Sequence, residues 1–171
     1  AGGLADGRLS YDLAGDSLAL QLRLDHLDLS RLSTFKGQVD GHLEARGNPQ
    51  GERYALQLDL SAHQLNALPG PPLDAQLQAR LQPDQVLSAT LDSRLGRVQV
   101  AGTLAVSGQY DLGLTGALDP STLLGYAASP VQLQGRARPD SLELRLDSPS
   151  LPLRDIHLGP AHAELALAGG R

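Results

Sequence analysis

The chain has no cysteine, no methionine and no tryptophan, and among 171 residues it carries one phenylalanine and four tyrosines. Without cysteine there are no disulfides and no thiolate chemistry. Without large aromatics a two-layer β-core loses the side chains that normally fill most of its volume. No run approaches 18 consecutive apolar residues, so no segment reads as a membrane-spanning helix. The net charge is −5 with no basic cluster, and Phe35, Tyr11, Tyr54, Tyr110 and Tyr126 are scattered. Phosphate binding needs clustered Lys and Arg, usually with stacking platforms, so nucleic acid is not an expected partner. The same scarcity of aromatics argues against an outer-membrane barrel, which carries aromatic girdles at both interfaces.

Chemistry-bearing motifs are also missing. His26, His42, His63, His157 and His162 show no metal-ligand spacing, and the five-residue separation of His157 and His162 is not that of a helical zinc site. No serine sits in G-x-S-x-G, and no glycine-rich loop opens a helix. The acids fall at alternating positions that read as solvent-facing. The sequence therefore predicts a non-enzyme with no catalytic residues, no metal and no cofactor.

What is abundant is leucine, about a fifth of the chain, written in strict alternation. Ser17–Asp25 reads SLALQLRLD, and the pattern returns in YALQLDL (54–60), LDAQLQARL (73–81) and SLELRLD (141–147). A period of two is that of a β-strand, so each run makes one apolar and one polar face. Gly-, Asn-, Asp- and Pro-containing turns separate the runs: Ala14-Gly15-Asp16, Gly47 to Gly51, Gln82-Pro83-Asp84, Leu95-Gly96, Ser107-Gly108 and Pro139-Asp140. Short loops of this chemistry join antiparallel neighbours. The expected fold is all-β, a long antiparallel meander of roughly eleven to thirteen strands. Helical content is limited to a turn or two at Ser30–Phe35 and at Pro120–Tyr126, where Asp119-Pro120 reads as an N-cap and first helical residue. Leu68–Pro72 and Ser148–Pro160 read as irregular crossings, because proline cannot sit inside a sheet.

Two stretches run in parallel. Leu27-Asp28-Leu29-Ser30-Arg31-Leu32 matches Leu118-Asp119-Pro120-Ser121-Thr122-Leu123. Val39 to Leu43 matches Leu133 to Ala137, Tyr54 to Asp59 matches Leu142 to Asp147, and Pro72 to Leu77 tracks Pro160 to Leu165. These define approximate repeat units at 27–81 and 118–168 of one segment spanning 1–171, in which each unit contacts its neighbours in a one-dimensional stack. The start at Ala1 without a Met and the polar Gly169-Gly170-Arg171 stub read as the limits of a piece of a longer protein.

One-sided leucine strands permit a sandwich, a lipid-facing barrel, or a curved sheet whose apolar face lines a groove. Uniformly aliphatic composition favours the groove, since leucine and valine contact acyl chains without polar atoms or ring shape. The candidate lining is Leu18, Leu20, Leu22, Leu24, Val39, Leu43, Leu56, Leu58, Leu60, Leu77, Val98, Val100, Leu112, Leu114, Leu133, Leu142, Leu144, Leu146, Leu165 and Leu167. A dozen strands would make about 55 Å of groove, and phospholipid acyl chains are the expected ligand. The alternatives are a structural β-sandwich or solenoid module of a surface adhesin, and a groove or sheet edge that holds unfolded outer-membrane β-strands.

The segment LDLSRLSTFKGQVDGHLEARGNP (27–49) resembles the recurring unit of the TamB/AsmA-like envelope proteins: a short hydrophobic turn followed by x-G-x-V-x-G-x-L-x-x-x-G-x-P. Leu118 to Leu144 resembles a second copy that lacks counterparts of Gly37 and Gly47. The resemblance implies a curled, taco-like β-sheet with a hydrophobic groove, in a periplasmic segment of an inner-membrane-anchored protein whose anchor is not in this chain. It implies a part in phospholipid movement between inner and outer membrane. In the TamB branch it also implies support of outer-membrane protein assembly with an outer-membrane barrel, TamA.

Overall fold

The computed structural model describes residues 3–31, 36–48, 53–66, 72–105, 107–121, 128–153 and 156–168. Alternation becomes strand wherever the sequence writes it. The strands are β1 (Leu4–Asp12), β2 (Ser17–Asp28), β3 (Lys36–Asn48), β4 (Arg53–Asn66), β5 (Leu73–Leu81), β6 (Val86–Ser93), β7 (Gly96–Leu104), β8 (Tyr110–Leu118), β9 (Val131–Arg138) and β10 (Ser141–Ser148). They are followed by a small hairpin, β11 (Leu151–Leu153) with β12 (Ile156–Leu158), and by β13 (Ala161–Ala168). Eleven of these form one antiparallel sheet in the order β1 through β10 and then β13. The expected all-β meander is what the chain forms. Its two ends, β1 and β13, do not pair with each other, so the sheet is open and not a barrel.

Two local expectations change. The 148–160 crossing is not irregular throughout: it holds the β11–β12 hairpin, with Pro152 opposite His157. Both strands of a two-stranded sheet are edges, and an edge tolerates a residue without an N–H. The first predicted helical turn appears as a 3-10 turn over Leu29–Arg31, with residues 32–35 outside the described set. At the second, Ser121 is helical and residues 122–127 lie outside it. The two turns are built alike. Asp28 Oδ1 accepts from the Ser30 N–H at 3.0 Å and from its hydroxyl at 2.7 Å. Asp119 Oδ1 accepts from the Ser121 N–H at 2.9 Å and also from its hydroxyl. Both are aspartate-capped exits from a strand.

The meander keeps its parity through β-bulges. In β2 the register slips between Leu24 and Leu27, where His26 adopts a φ of 52°. In β4 it slips between Ala62 and Leu65, where Gln64 adopts 53°. One extra residue in a strand reverses its alternation. Leu24 and Leu27 are an odd number apart, so an unbulged strand would turn Leu27 to the polar side. With the bulge, Leu27 pairs with Val39 and Leu65 with Leu73. Each bulge is held by an aspartate of the next strand: the His26 N–H donates to Asp40 Oδ1 at 2.7 Å and the Gln64 N–H to Asp74 Oδ1 at 2.9 Å. A left-handed residue would otherwise leave that N–H outside the ladder.

There is almost no core. Among the described residues only Leu73 and Ser148 are buried, and no side chain is fully enclosed. All substantial contacts between main-sheet strands join sheet neighbours. The accessible surface is 11599 Å², against about 8,000 Å² for a compact protein of this mass. The aligned-sandwich alternative needs a second sheet on the leucine face, and the described residues supply none.

A leucine on this face therefore should behave unlike a core leucine. Replacing Leu58, half-buried in β4, by alanine removes contacts with its cross-strand neighbours without opening a closed cavity. The expected loss is about 1–2 kcal/mol, below the ~3–5 kcal/mol of an enclosed leucine. Chemical denaturation of the lipid-free variant measures it, and a loss in the enclosed range would show that another layer covers Leu58.

Candidate functional site: a continuous apolar face

The ladder registers decide which side chains share a face. Leu20 stands opposite Leu9 on one side and Ala45 on the other. The row continues through Leu56, Leu81, Leu87, Gly102, Leu112, Ala137, Leu142 and Leu167. The neighbouring row runs Gly7, Leu22, Leu43, Leu58, Ala79, Ala89, Val100, Leu114, Gly135, Leu144 and Leu165. A third joins Leu24, Gly41, Leu60, Leu77, Leu91, Val98, Gly116, Leu133 and Leu146. Leu18 lies on the same side, paired with Tyr11 and Gly47. Every residue expected to line the groove thus falls on one face, including Val39 opposite Leu27 and Ala62.

No charged side chain stands on that face among the described strand residues. Its few polar atoms belong to Tyr11, Tyr54, Tyr110, Ser93 and Ser148. Ten strand spacings carry it across about 48 Å. Its interior is half-shielded by neighbouring side chains, whereas at the edges Leu9 is 68% exposed, Leu165 48% and Leu167 54%. Glycine and alanine opposite leucine make room for this shielding. At Gly41 a Cβ would stand 2.8 Å from the Asp59 carbonyl oxygen and would meet the Leu60 side chain. At Gly135 it would stand 2.7 Å from the Glu143 carbonyl and 2.6 Å from Leu144 Cδ2. Both glycines lie beneath a leucine that leans across from the next strand, at corresponding places in the two matched stretches.

Sequence reading missed part of this surface. Leu9, Leu81, Leu87 and Leu91 continue the same alternation and were within reach of it. Leu27 and Leu65 were hidden, because each follows a bulge that breaks parity. The available signal was the pair of successive polar residues before each, Asp25-His26 and His63-Gln64.

The opposite face is ionic. Arg136 grips Asp111 with two bonds, Nε to Oδ1 at 2.7 Å and Nη2 to Oδ2 at 2.5 Å, from the adjacent strand. Arg97 bonds Asp92 at 2.8 Å across β6 and β7, and Arg145 bonds Asp147 at 2.8 Å along β10. The four histidines with described side chains all lie here beside carboxylates: His26 Nδ1 on Asp40 at 2.6 Å, His42 on Glu44 at 3.1 Å, His63 3.8 Å from Asp40, and His162 on Asp147 at 2.7 Å and Glu164 at 2.9 Å. The hydrogen bond from Arg136 lowers the Asp111 carboxyl below its ordinary value, and that from Arg145, followed by that from His162, lowers Asp147. The backbone bond from His26 leads in lowering Asp40, and the Ser121 hydroxyl leads for Asp119. Bonds first to Asp147 and then to Glu164 raise His162. Among the described residues no three or more acids and histidines converge as a metal site would require.

These shifts set a pH profile. Carboxylates lowered in the fold stabilise it above their unfolded value of about 4, and that stabilisation is lost as pH falls through their lower folded values. His162, raised in the fold, stabilises it below its unfolded value of about 6.5, and that contribution is lost as pH rises through the raised value. Thermal melts followed by circular dichroism should show highest stability near pH 5, a fall toward pH 2 and a smaller decline above about pH 7. His162→Gln should flatten the alkaline decline and soften the acid fall only by its share in lowering Asp147, leaving the part due to Arg145, Arg136 and the bonds to Asp40 and Asp119. An alkaline decline unchanged in that variant would assign it to another group.

No protein-family model matches the chain, and neither does any curated protein or solved structure.

Proposed function

We propose that the chain is a non-catalytic β-groove segment of a cell-envelope protein, shielding phospholipid acyl chains as they pass between inner and outer membrane. The observation that carries this reading is the aliphatic face across eleven strands, charge-free and with no layer over it among the described residues. A monomer in water rarely exposes more than a few hundred Å² of contiguous apolar surface. A face about 48 Å across exceeds that several-fold and calls for a ligand.

The chemistry of the face selects the ligand class. Each methylene removed from water contributes about 0.8 kcal/mol, and rows of leucine, valine and alanine accept it anywhere along their length. Among the described strand residues no charged or amide side chain stands on the face to bond a headgroup, so the headgroup stays in water and selection acts on the acyl chain. Weak lateral discrimination is what a conduit needs, because a chain held equally at successive rows slides without a deep trap. The resemblance of residues 27–49 to the TamB/AsmA-like repeat supports the same reading. It extends the proposal to a periplasmic location, an anchor outside this chain, and support of outer-membrane assembly beside a barrel of the TamA kind.

Protein purified without detergent from cells with a phospholipid envelope, then solvent-extracted for mass spectrometry, should yield phospholipids in roughly the proportions of the source membrane. Leu144→Glu, which puts a carboxylate in the middle row, should lose most of that lipid while keeping its β-sheet circular dichroism. Lipid-free wild-type protein that binds no hydrophobic dye would refute the proposal. Enrichment of one headgroup class would refute the claim that selection acts on the acyl chain.

A further inference from the structure

The two rims of the sheet, where the strands turn, differ from each other. The turns after β1, β3, β5, β7 and β9 share one rim, and those after β2, β4, β6, β8 and β10 share the other. The three tyrosines among the described residues all stand at the first rim and on the apolar side. Tyr11 is opposite Leu18, Tyr54 opposite Gly47 and Tyr110 opposite Leu104. They recur on β1, β4 and β8, about 14 and 19 Å apart along the stack. Tyrosine with its ring among apolar neighbours and its hydroxyl in water is the residue of lipid–water boundaries.

Charge separates the rims as well. The last polar row that runs unbroken from β3 to β13 near the second rim holds Asp40, Asp92 and Asp147 against one guanidinium, Arg97, with His162 at its end. Arg97 bonds Asp92, and Arg94 beside it donates to the Pro72 carbonyl. Lys36, at the start of β3, is a further cation at this rim. The apolar-side serines there turn their hydroxyls to the backbone, Ser93 to the Gly96 carbonyl at 3.4 Å and Ser148 to that of Ser150 at 2.8 Å. Toward the tyrosine rim the corresponding polar positions carry Arg46 and Arg138 against Asp111.

One hollow of about 350 Å³ at the tyrosine rim joins these features. Tyr110, Arg138, Asp140, Ser141, Leu142 and Leu167 line it. Leu142 and Leu167 belong to the row of the apolar face nearest this rim. Tyr11 gives its hydroxyl to Asp16, whereas those of Tyr110 and Ser141 make no hydrogen bond among the described residues. Arg136 takes both oxygens of Asp111, which leaves Arg138 a 3.6 Å contact with it. A guanidinium and two hydroxyls at the end of an aliphatic row are donors for phosphate oxygens. Asp140 balances Arg138, so the hollow favours no anionic headgroup over a zwitterionic one. The eight residues of β10 lead away from it for about 25 Å, room for the tail of one leaflet, about half of a ~30 Å bilayer core.

We propose that phospholipid lies across the sheet in one orientation. Its phosphate sits at the tyrosine rim, with the Tyr110–Arg138–Ser141 hollow as one seat, and its tails run over the leucine rows toward the acidic rim. This rests on the reading of the face as an acyl-chain surface and adds a direction to it.

The chain has no tryptophan, so Leu142→Trp and Leu146→Trp place one reporter near each rim of β10. Each variant is loaded with phosphatidylcholine carrying a nitroxide on its choline, or with phosphatidylcholine brominated near the tail end. The nitroxide should quench several-fold more at 142 than at 146, and the bromine in the opposite order. Per bound lipid, Tyr110→Phe combined with Arg138→Gln should bring the nitroxide ratio toward one, and Arg97→Gln should leave it unchanged. A nitroxide ratio at or below one without those changes, with bromine still quenching, would overturn the orientation and leave the acyl-chain reading standing. Quenching by neither lipid at either position would overturn both. A fall of the ratio in Arg97→Gln equal to that in the double variant would overturn the seat.

Discussion

The described residues hang together on the antiparallel backbone ladder, because nothing else among them is present in quantity to hold the sheet. A globular domain of this size is held by side chains enclosed between layers. Here one layer of eleven strands holds almost no enclosed side chain among the described residues. Ordered N–H···O=C pairing, cross-strand contact between leucines and small residues, and ion pairs on the wet side do the work of a core. Stability is then nearly one-dimensional: each strand depends on its two neighbours, and the edge strands depend on one. The most exposed apolar side chains of the face, Leu9, Leu165 and Leu167, stand on those edges.

A single layer makes parity the decisive constraint. In a two-layer fold a misplaced leucine can be accommodated on either side of a thick core. In this sheet a slip of one residue would carry leucines to the charged face and acids to the aliphatic one. The bulges at His26 and Gln64 are how β2 and β4, two of the longest strands, stay in phase. Asp40 and Asp74 complete them by capping the N–H groups that the bulges turn out of the ladder. The positive-φ histidine and glutamine are thus part of what keeps Leu27 and Leu65 on the apolar side.

This also explains how far the sequence could be read. Strand existence, antiparallel order and the membership of residues such as Leu58, Leu114 and Leu144 follow from a period of two and short turns, both local signals. The openness of the sheet was only partly legible: missing aromatics argued against a packed second layer, but absence of a covering sheet is a tertiary fact. Leu27 and Leu65 were not among the expected lining residues because each follows a bulge, and the aspartate that caps the bulge lies 14 residues away for His26 and 10 for Gln64. The hairpin at Leu151–Leu158 escaped because proline inside a strand reads as a break, and two short edge strands are where that rule relaxes. The aspartate–serine turns at Asp28 and Asp119 were visible as matching letters before their hydrogen bonds showed the same construction.

The central claim is that one face of an uncovered sheet takes acyl chains and the other does not. The chain has no tryptophan, so single tryptophans placed in turn at Leu56, Gln57, Leu58, Asp59 and Leu60 report on successive positions of β4. Each variant is loaded with phospholipid brominated along its acyl chain, and fluorescence quenching is measured. The account predicts strong quenching at 56, 58 and 60 and little at 57 and 59, a period of two along the strand. Uniformly weak quenching at all five positions would contradict it.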